Sequence, residues 1–157
     1  MKRHTIDTVI TEVTFDELTE KERDLVRLAR QATYSSYSPY SHFSVGAAIQ
    51  LDNGEIICGS NQENAAFPSG TCAERSACFY AHARYPEAKF ETIAISARGT
   101  DGEEVTNPIS PCGQCRQALL EYETLAGHDV RVIMAGAERI YIAPSIRSLL
   151  PLAFTEF

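Results

Sequence analysis

Apolar side chains recur along the chain with two periods, and the switches between them divide it into elements. Leu25, Val26, Leu28, Ala29 and Ala32 share one face of a 3.6-residue repeat. Thr19 and Glu22 stand before them at capping-box spacing, so the pattern predicts a helix over 20–34. Ser38-Pro39-Tyr40-Ser41 stops it. Phe43, Val45, Ala47 and Ile49 then alternate with period two, which predicts a strand over 43–51. Asp52-Asn53-Gly54 is a tight-turn signal, and 55–60 reads as the returning strand of an antiparallel hairpin. Further on, 71–84 reads as a helix, 90–96 as a buried strand, and 111–122 as a helix with Pro at its start. Strands follow over 130–134 and 139–142, then a short helix over 145–150 that ends at Pro151. Residues 1–14 alternate loosely through Ile6, Val9, Ile10 and Val13, and read either as an extra strand or as an ordered tail.

This order predicts an α/β protein of three layers, α/β/α, around a mixed five-stranded sheet. The last two strands are joined only by Ala135-Gly136-Ala137-Glu138. So short a link forces them antiparallel, because a parallel crossover needs about a dozen residues. A chain of 157 residues suits one domain, expected to span 1–157 with residues 1–14 as an extension.

Charge narrows the partners. The formal net charge is -7, and no cluster of Lys and Arg forms a basic face. A phosphate-backbone binder would carry one, so long nucleic acid is excluded as an expected partner. No apolar run approaches the roughly 20 residues of a membrane span, and the N-terminal segment lacks a signal-peptide core. A cytoplasmic location is expected. The five cysteines are an odd number, which argues against a complete disulfide framework. In a reducing compartment, clustered cysteines read as metal ligands or catalytic groups.

Two segments carry candidate chemistry: Thr71-Cys72-Ala73-Glu74-Arg75 and Pro111-Cys112-Gly113-Gln114-Cys115-Arg116. Each falls at a predicted helix start, where unpaired N–H groups and the positive dipole end favour thiolates. Cys112 and Cys115 are three residues apart and share a helix face. With Cys72 alongside, three sulfurs would hold zinc with a fourth position open to water, the catalytic rather than the structural arrangement. Glu74, two residues beyond Cys72, is close enough to reach that water without ligating the metal. Taken alone, Cys112-x-x-Cys115 also fits a redox pair. A closed structural site would need Cys58, Cys78 or His82 as fourth ligand.

The two segments together resemble the cytidine deaminase family, specifically its short tetrameric members. The resemblance runs from about Val26 to Phe154. It includes Tyr37-Ser38-Pro39-Tyr40-Ser41-His42-Phe43, Val45-Gly46-Ala47-Ala48, Asn61-Gln62-Glu63-Asn64-Ala65, the continuation Cys115-Arg116-Gln117, and Leu149-Leu150-Pro151. It implies the cytidine-deaminase-like fold, one Zn2+ per subunit on Cys72, Cys112 and Cys115, and Glu74 as the proton shuttle. The implied activity is hydrolytic deamination of cytidine and deoxycytidine to uridine and deoxyuridine.

The resemblance also implies the substrate contacts. Asn61 and Glu63 would hold the ribose, the Ala73 N–H the base carbonyl, and Phe43 would pack on the nucleoside. Phe154 would reach a neighbouring subunit's site within a homotetramer. On the residues alone, Phe43 reads equally as core, and Asn61 and Glu63 as turn residues. Arg75, otherwise a solvated helix charge, would donate to ligand sulfurs and offset three thiolates. Phe67 stands where the family often has Tyr, and the acidic loop 99–107 has no assigned role.

Three other readings compete. A blasticidin-type deaminase shares the zinc motifs but lacks the Asn-x-Glu pair. A tRNA or single-stranded DNA deaminase usually has a histidine as first ligand and a helix between the last strands. A zinc-stabilised binding module would have no use for Glu74.

Overall fold

The structure, a computed structural model, describes residues 1–155. Its strands are β1 (Thr11–Val13), β2 (Ser44–Leu51), β3 (Ile56–Ser60), β4 (Phe90–Arg98), β5 (Arg131–Ala135) and β6 (Ile140–Ala143). Its helices are α1 (Glu20–Ala32), α2 (Ala73–Arg84) and α3 (Gly113–Ala126). The strands form one sheet in the order β1-β6-β5-β4-β2-β3. Only β4 and β5 pair in parallel; β5 and β6 are antiparallel, as their short link requires.

Alternation along each strand separates two cores. Ala47, Ile49, Ile93, Ile95, Val132 and Met134 point to the face covered by α2 and α3, where they meet Ala77, Leu119 and Leu120. Ala48, Ala94, Ile133 and Ala135 point the other way, to Leu25, Val26 and Ala29 of α1. A sheet covered on both faces needs apolar residues at successive positions, which is why its central strands read as near-continuous apolar runs. The α1 start is fixed as its spacing implies: the Glu22 N–H reaches the Thr19 hydroxyl, and the Thr19 N–H reaches the Glu22 carboxylate at 2.9 Å.

Three boundaries depart from the sequence reading. The sheet has six strands among the described residues, not five, because Thr11–Val13 pairs antiparallel with Ile140–Ile142. Three residues are too few for a period-two signal, and it is the open edge of β6 that makes them a strand. Helices α2 and α3 start at Ala73 and Gly113, two residues later than expected, which leaves Pro111 outside the helix. The expected helix over 145–150 is a single 3₁₀ turn at Arg147–Leu149. Pro151, with no N–H to donate, cannot continue it.

The acidic loop acquires a place. The Val105 N–H donates to Ala97 and the Ala137 N–H donates to Val105, so the loop bridges the ends of β4 and β5. Glu104 receives Arg30 of α1 at 2.7 Å in a half-buried ion pair. This loop leads directly into Cys112.

Candidate active site

Strands β3, β4 and β5 run in the same direction, since β2 is antiparallel to both β3 and β4 while β5 is parallel to β4. The connections β3–α2–β4 and β4–α3–β5 both cross the same face. Each helix therefore starts at the same end of the sheet, the carboxyl end of these strands, where open α/β sheets place ligands. Cys72 is the N-cap of α2 and Cys112 that of α3, both in extended conformation, and Cys115 lies in the first turn of α3.

The topology thus brings the three thiols together. Their sulfurs lie within 4.8 Å of one another, and Cys72 and Cys112 are 3.9 Å apart. Tetrahedral zinc with Zn–S bonds of about 2.3 Å sets its sulfurs about 3.8 Å apart. The cluster fits the ion in donor type, number and spacing. Cys58, Cys78 and His82 lie outside it, so among the described residues the cluster holds three candidate ligands. Cys78 is fully buried among apolar side chains, and burial pushes its thiol up to about 12.

Electrostatics favour a cation there. Hydrogen bonding from Cys115, against the opposing effect of burial and with help from Arg75 and Cys112, pulls the Cys72 thiol down to about 5. The same contact and burial push Cys115 up. The protein alone therefore accommodates a thiolate at Cys72 readily and resists a second at Cys115, and a divalent cation removes that resistance.

Glu74 occupies the second helical position of α2 and is only 4% exposed. Burial, and behind it the Cys72 charge, raise its carboxyl above the usual range, although its own backbone N–H and Cys115 pull the other way. Arg75 Nη2 lies 3.8 Å from Cys72 Sγ. Its Nε is buried with no hydrogen-bond partner among the described residues. The Ala73 backbone is fully buried at the first position of α2, where a helix N–H has no intrahelical acceptor.

Apart from Phe154, the other expected residues lie around the turn before β2. Phe43 is half-buried against the α2–α3 core. Asn61 serves this turn first: its Oδ1 accepts from Ser36 Oγ and the Val45 N–H at 2.6 and 2.7 Å, and its Nδ2 donates to the Phe43 carbonyl at 2.9 Å. One amide hydrogen remains. Glu63 accepts the Tyr40 and Ser41 N–H groups at 2.8 and 3.3 Å. The Ser41 hydroxyl and the Tyr40 N–H hold its carboxyl below the usual range. Phe67 is exposed, edge-on to Tyr40 at 5.9 Å. Phe154 lies in the C-terminal tail and is 67% exposed.

The structure adds residues that the sequence did not single out. Arg116, directly after Cys115, spends all three nitrogens on neighbouring chain. Nε donates to the Pro111 carbonyl, Nη2 to Ser110 Oγ and Nη1 to the Leu149 carbonyl, at 2.8 to 2.9 Å. It fastens the approach to Cys112 and the start of the C-terminal tail to one point. Glu123, buried on α3, accepts the N–H groups of Val130, Ile146 and Arg147. Arg116 directly follows the third cysteine of the motif; nothing in the sequence marks Glu123, because an acid in mid-helix reads as solvent-facing.

The profile of the family described as "Cytidine and deoxycytidylate deaminase zinc-binding region" matches residues 19–127. The chain belongs to this family. It is 37% identical over 131 residues to a cytidine deaminase of Halalkalibacterium halodurans, covering 83% of this chain and 92% of that one. The crystal structure of cytidine deaminase from Burkholderia pseudomallei superposes with a TM-score of 0.70 at 33% identity, over 87% of this chain and 100% of that one. A blasticidin-S deaminase of Bacillus cereus is 28% identical over 142 residues, 88% of this chain and 96% of its own length. The matched span contains the whole three-cysteine cluster and Glu74. The deaminase fold and the zinc-type cluster are thus established together, and the redox-pair reading of Cys112 and Cys115 is set aside.

Proposed function

We propose that this deaminase converts cytidine and deoxycytidine to uridine and deoxyuridine with release of ammonia, in pyrimidine salvage. The observation that carries the reading is Glu74: a carboxyl group 4% exposed, beside a three-cysteine cluster, in a chain of the deaminase family. A structural zinc site gives such a group no task. Zinc on Cys72, Cys112 and Cys115 supplies Lewis acidity that makes water a nucleophile near neutral pH.

The chain's own residues do the rest. Glu74 accepts a proton from the water and passes it to the ring nitrogen beside the carbon that bears the amino group. The water oxygen adds to that carbon. Glu74 then delivers the second proton to the amino nitrogen, the C–N bond breaks, and ammonia leaves the new carbonyl. A carboxyl raised by burial accepts and returns protons more evenly near neutrality than an ordinary one. Arg75 offsets thiolate charge through its contact with Cys72.

We assign the substrate contacts to the residues around this centre. The Ala73 N–H, without an intrahelical acceptor, takes the base carbonyl. Glu63, oriented by the turn at Tyr40 and Ser41, takes a ribose hydroxyl. Asn61 holds that turn and offers its remaining hydrogen to the sugar. Phe43 packs against the nucleoside. The family's short members work as homotetramers, and we assign Phe154 to a neighbour's site in such an assembly. Among the described residues no helix is long and apolar enough to cross a membrane. We assign the enzyme's action to the cytoplasm. The Asn61–Glu63 pair favours a free nucleoside over a blasticidin-like substrate.

The test is a panel of cytosine and adenine nucleosides followed by the ultraviolet change on deamination, with zinc content measured alongside. Zinc-loaded protein should act on cytidine and deoxycytidine. Glu74→Gln should keep its zinc and lose about 10⁴-fold in kcat, the upper end for acid–base groups. Zinc-loaded parent protein inert toward cytidine, or Glu74→Gln with a tenth of the parent activity, would refute the assignment.

A further inference from the structure

The motif that carries the second and third cysteines continues into Arg116 and Gln117, and the chemistry above leaves Gln117 unused. Its side-chain amide grips the main chain of the C-terminal tail from both sides. Nε2 donates to the Phe154 carbonyl at 2.8 Å, and Oε1 accepts the Phe154 N–H at 3.1 Å. A primary amide is the side-chain group that reproduces the donor–acceptor pair of a β-ladder, so this contact fixes the Phe154 backbone in position and in orientation. Ala153 packs on the α2–α3 core, while Leu152 on its other side is almost fully exposed.

We infer that Gln117 is a positioning residue that sets Phe154 for its contact with substrate, tying the tail to the same helical turn that carries Cys115. The inference rests on the role given to Phe154 above. Its logic is entropic. A mobile aromatic contributes to binding only after its backbone is ordered, and ordering each residue costs about 1–2 kcal/mol. A tail already ordered by Gln117 spares that cost at each binding event. Arg116 assists one turn earlier in the tail by holding the Leu149 carbonyl. Two consecutive residues after a metal ligand thus hold the tail at two points five residues apart.

The experiment uses the zinc-loaded, assembled protein and compares Gln117→Ala, Phe154→Ala and the double variant. Two readouts are taken: steady-state kinetics with cytidine, and hydrogen–deuterium exchange of the peptide that contains Ala153 and Phe154. Gln117→Ala should speed that exchange. It should raise KM about threefold or more, the scale of a lost aromatic contact, and leave kcat and zinc content unchanged. Because Gln117 acts through Phe154, the double variant should be no worse than Phe154→Ala alone. Gln117→Glu keeps the acceptor and loses the donor; it should shift KM and exchange in the same direction, and it decides the matter if Gln117→Ala does not fold. Unchanged exchange, or a double variant whose penalty is the product of the two single ones, would overturn this inference alone. A Phe154→Ala variant with unchanged KM would instead remove the assigned role of Phe154, and the inference with it.

Discussion

Gly59 of β3 is a position at which a methyl group should disable the site from outside it. A Cβ built there stands 2.5 Å from the Ala77 nitrogen and 2.7 Å from the Ala73 oxygen, the two ends of the first-turn hydrogen bond of α2. Ordinary contact begins near 3.4 Å, so α2 must recede by about 0.7–0.9 Å, and both obstacles are backbone with no side chain to swing aside. Overpacking of this kind costs about 1–3 kcal/mol. At roughly 2–4 °C per kcal/mol for a chain of this size, Gly59→Ala should lower Tm by about 2–12 °C. The larger effect is on chemistry. The first turn of α2 carries Ala73 and Glu74 and begins at Cys72, whereas Cys112 and Cys115 ride on α3. A shift of nearly 1 Å between those groups can cost about 10²-fold. The assay is kcat/KM for cytidine on zinc-loaded protein, with Tm in parallel. Gly70→Ala is the control, since its Cβ meets nothing nearer than 3.5 Å. A Gly59→Ala enzyme with parental kcat/KM would show that β3 does not set the position of α2, whatever its stability.

Two further outcomes follow from the same contacts. Cys112→Ala should release zinc and abolish activity, while Cys58→Ala, at an exposed thiol outside the cluster, should bind one zinc per subunit by metal analysis; zinc loss in Cys58→Ala would contradict a three-sulfur site. Glu123→Ala leaves three N–H groups without their acceptor, at about 1 kcal/mol or more each, and should lower Tm by about 6–12 °C with kcat little changed. A drop under about 2 °C would mean that water replaces the carboxylate.

How much of this was legible beforehand depends on whether the signal is local. The amphipathic face of α1, its Thr19–Glu22 cap and the 52–54 turn are local, and each stands where the residue pattern puts it. The pairing of Thr11–Val13 with β6 is not, because its cause is an unpaired edge contributed by residues more than a hundred positions away. The three acceptor bonds of Glu123 are equally invisible in the sequence, as Ile146 and Arg147 reach it only through the path of the tail.

The most instructive departure lies at the site itself. The residue pattern starts these two helices at Thr71 and at Pro111, the second because Pro favours a helix start. The chain caps both helices with cysteine instead, and neither thiol makes a capping hydrogen bond. A thiol is a poor acceptor for a helix N–H, so these caps are weaker than Ser, Thr, Asp or Asn would provide, by about 0.5–2 kcal/mol each. The same position serves a thiolate well, because the uncapped N–H groups and the dipole end stabilise its charge. The cost in helix stability and the gain in metal affinity have one cause. Replacing either N-cap cysteine by Ser should therefore strengthen the helix start while it lowers zinc content by metal analysis, whereas at a purely structural cap the same change would strengthen the helix and leave the metal in place.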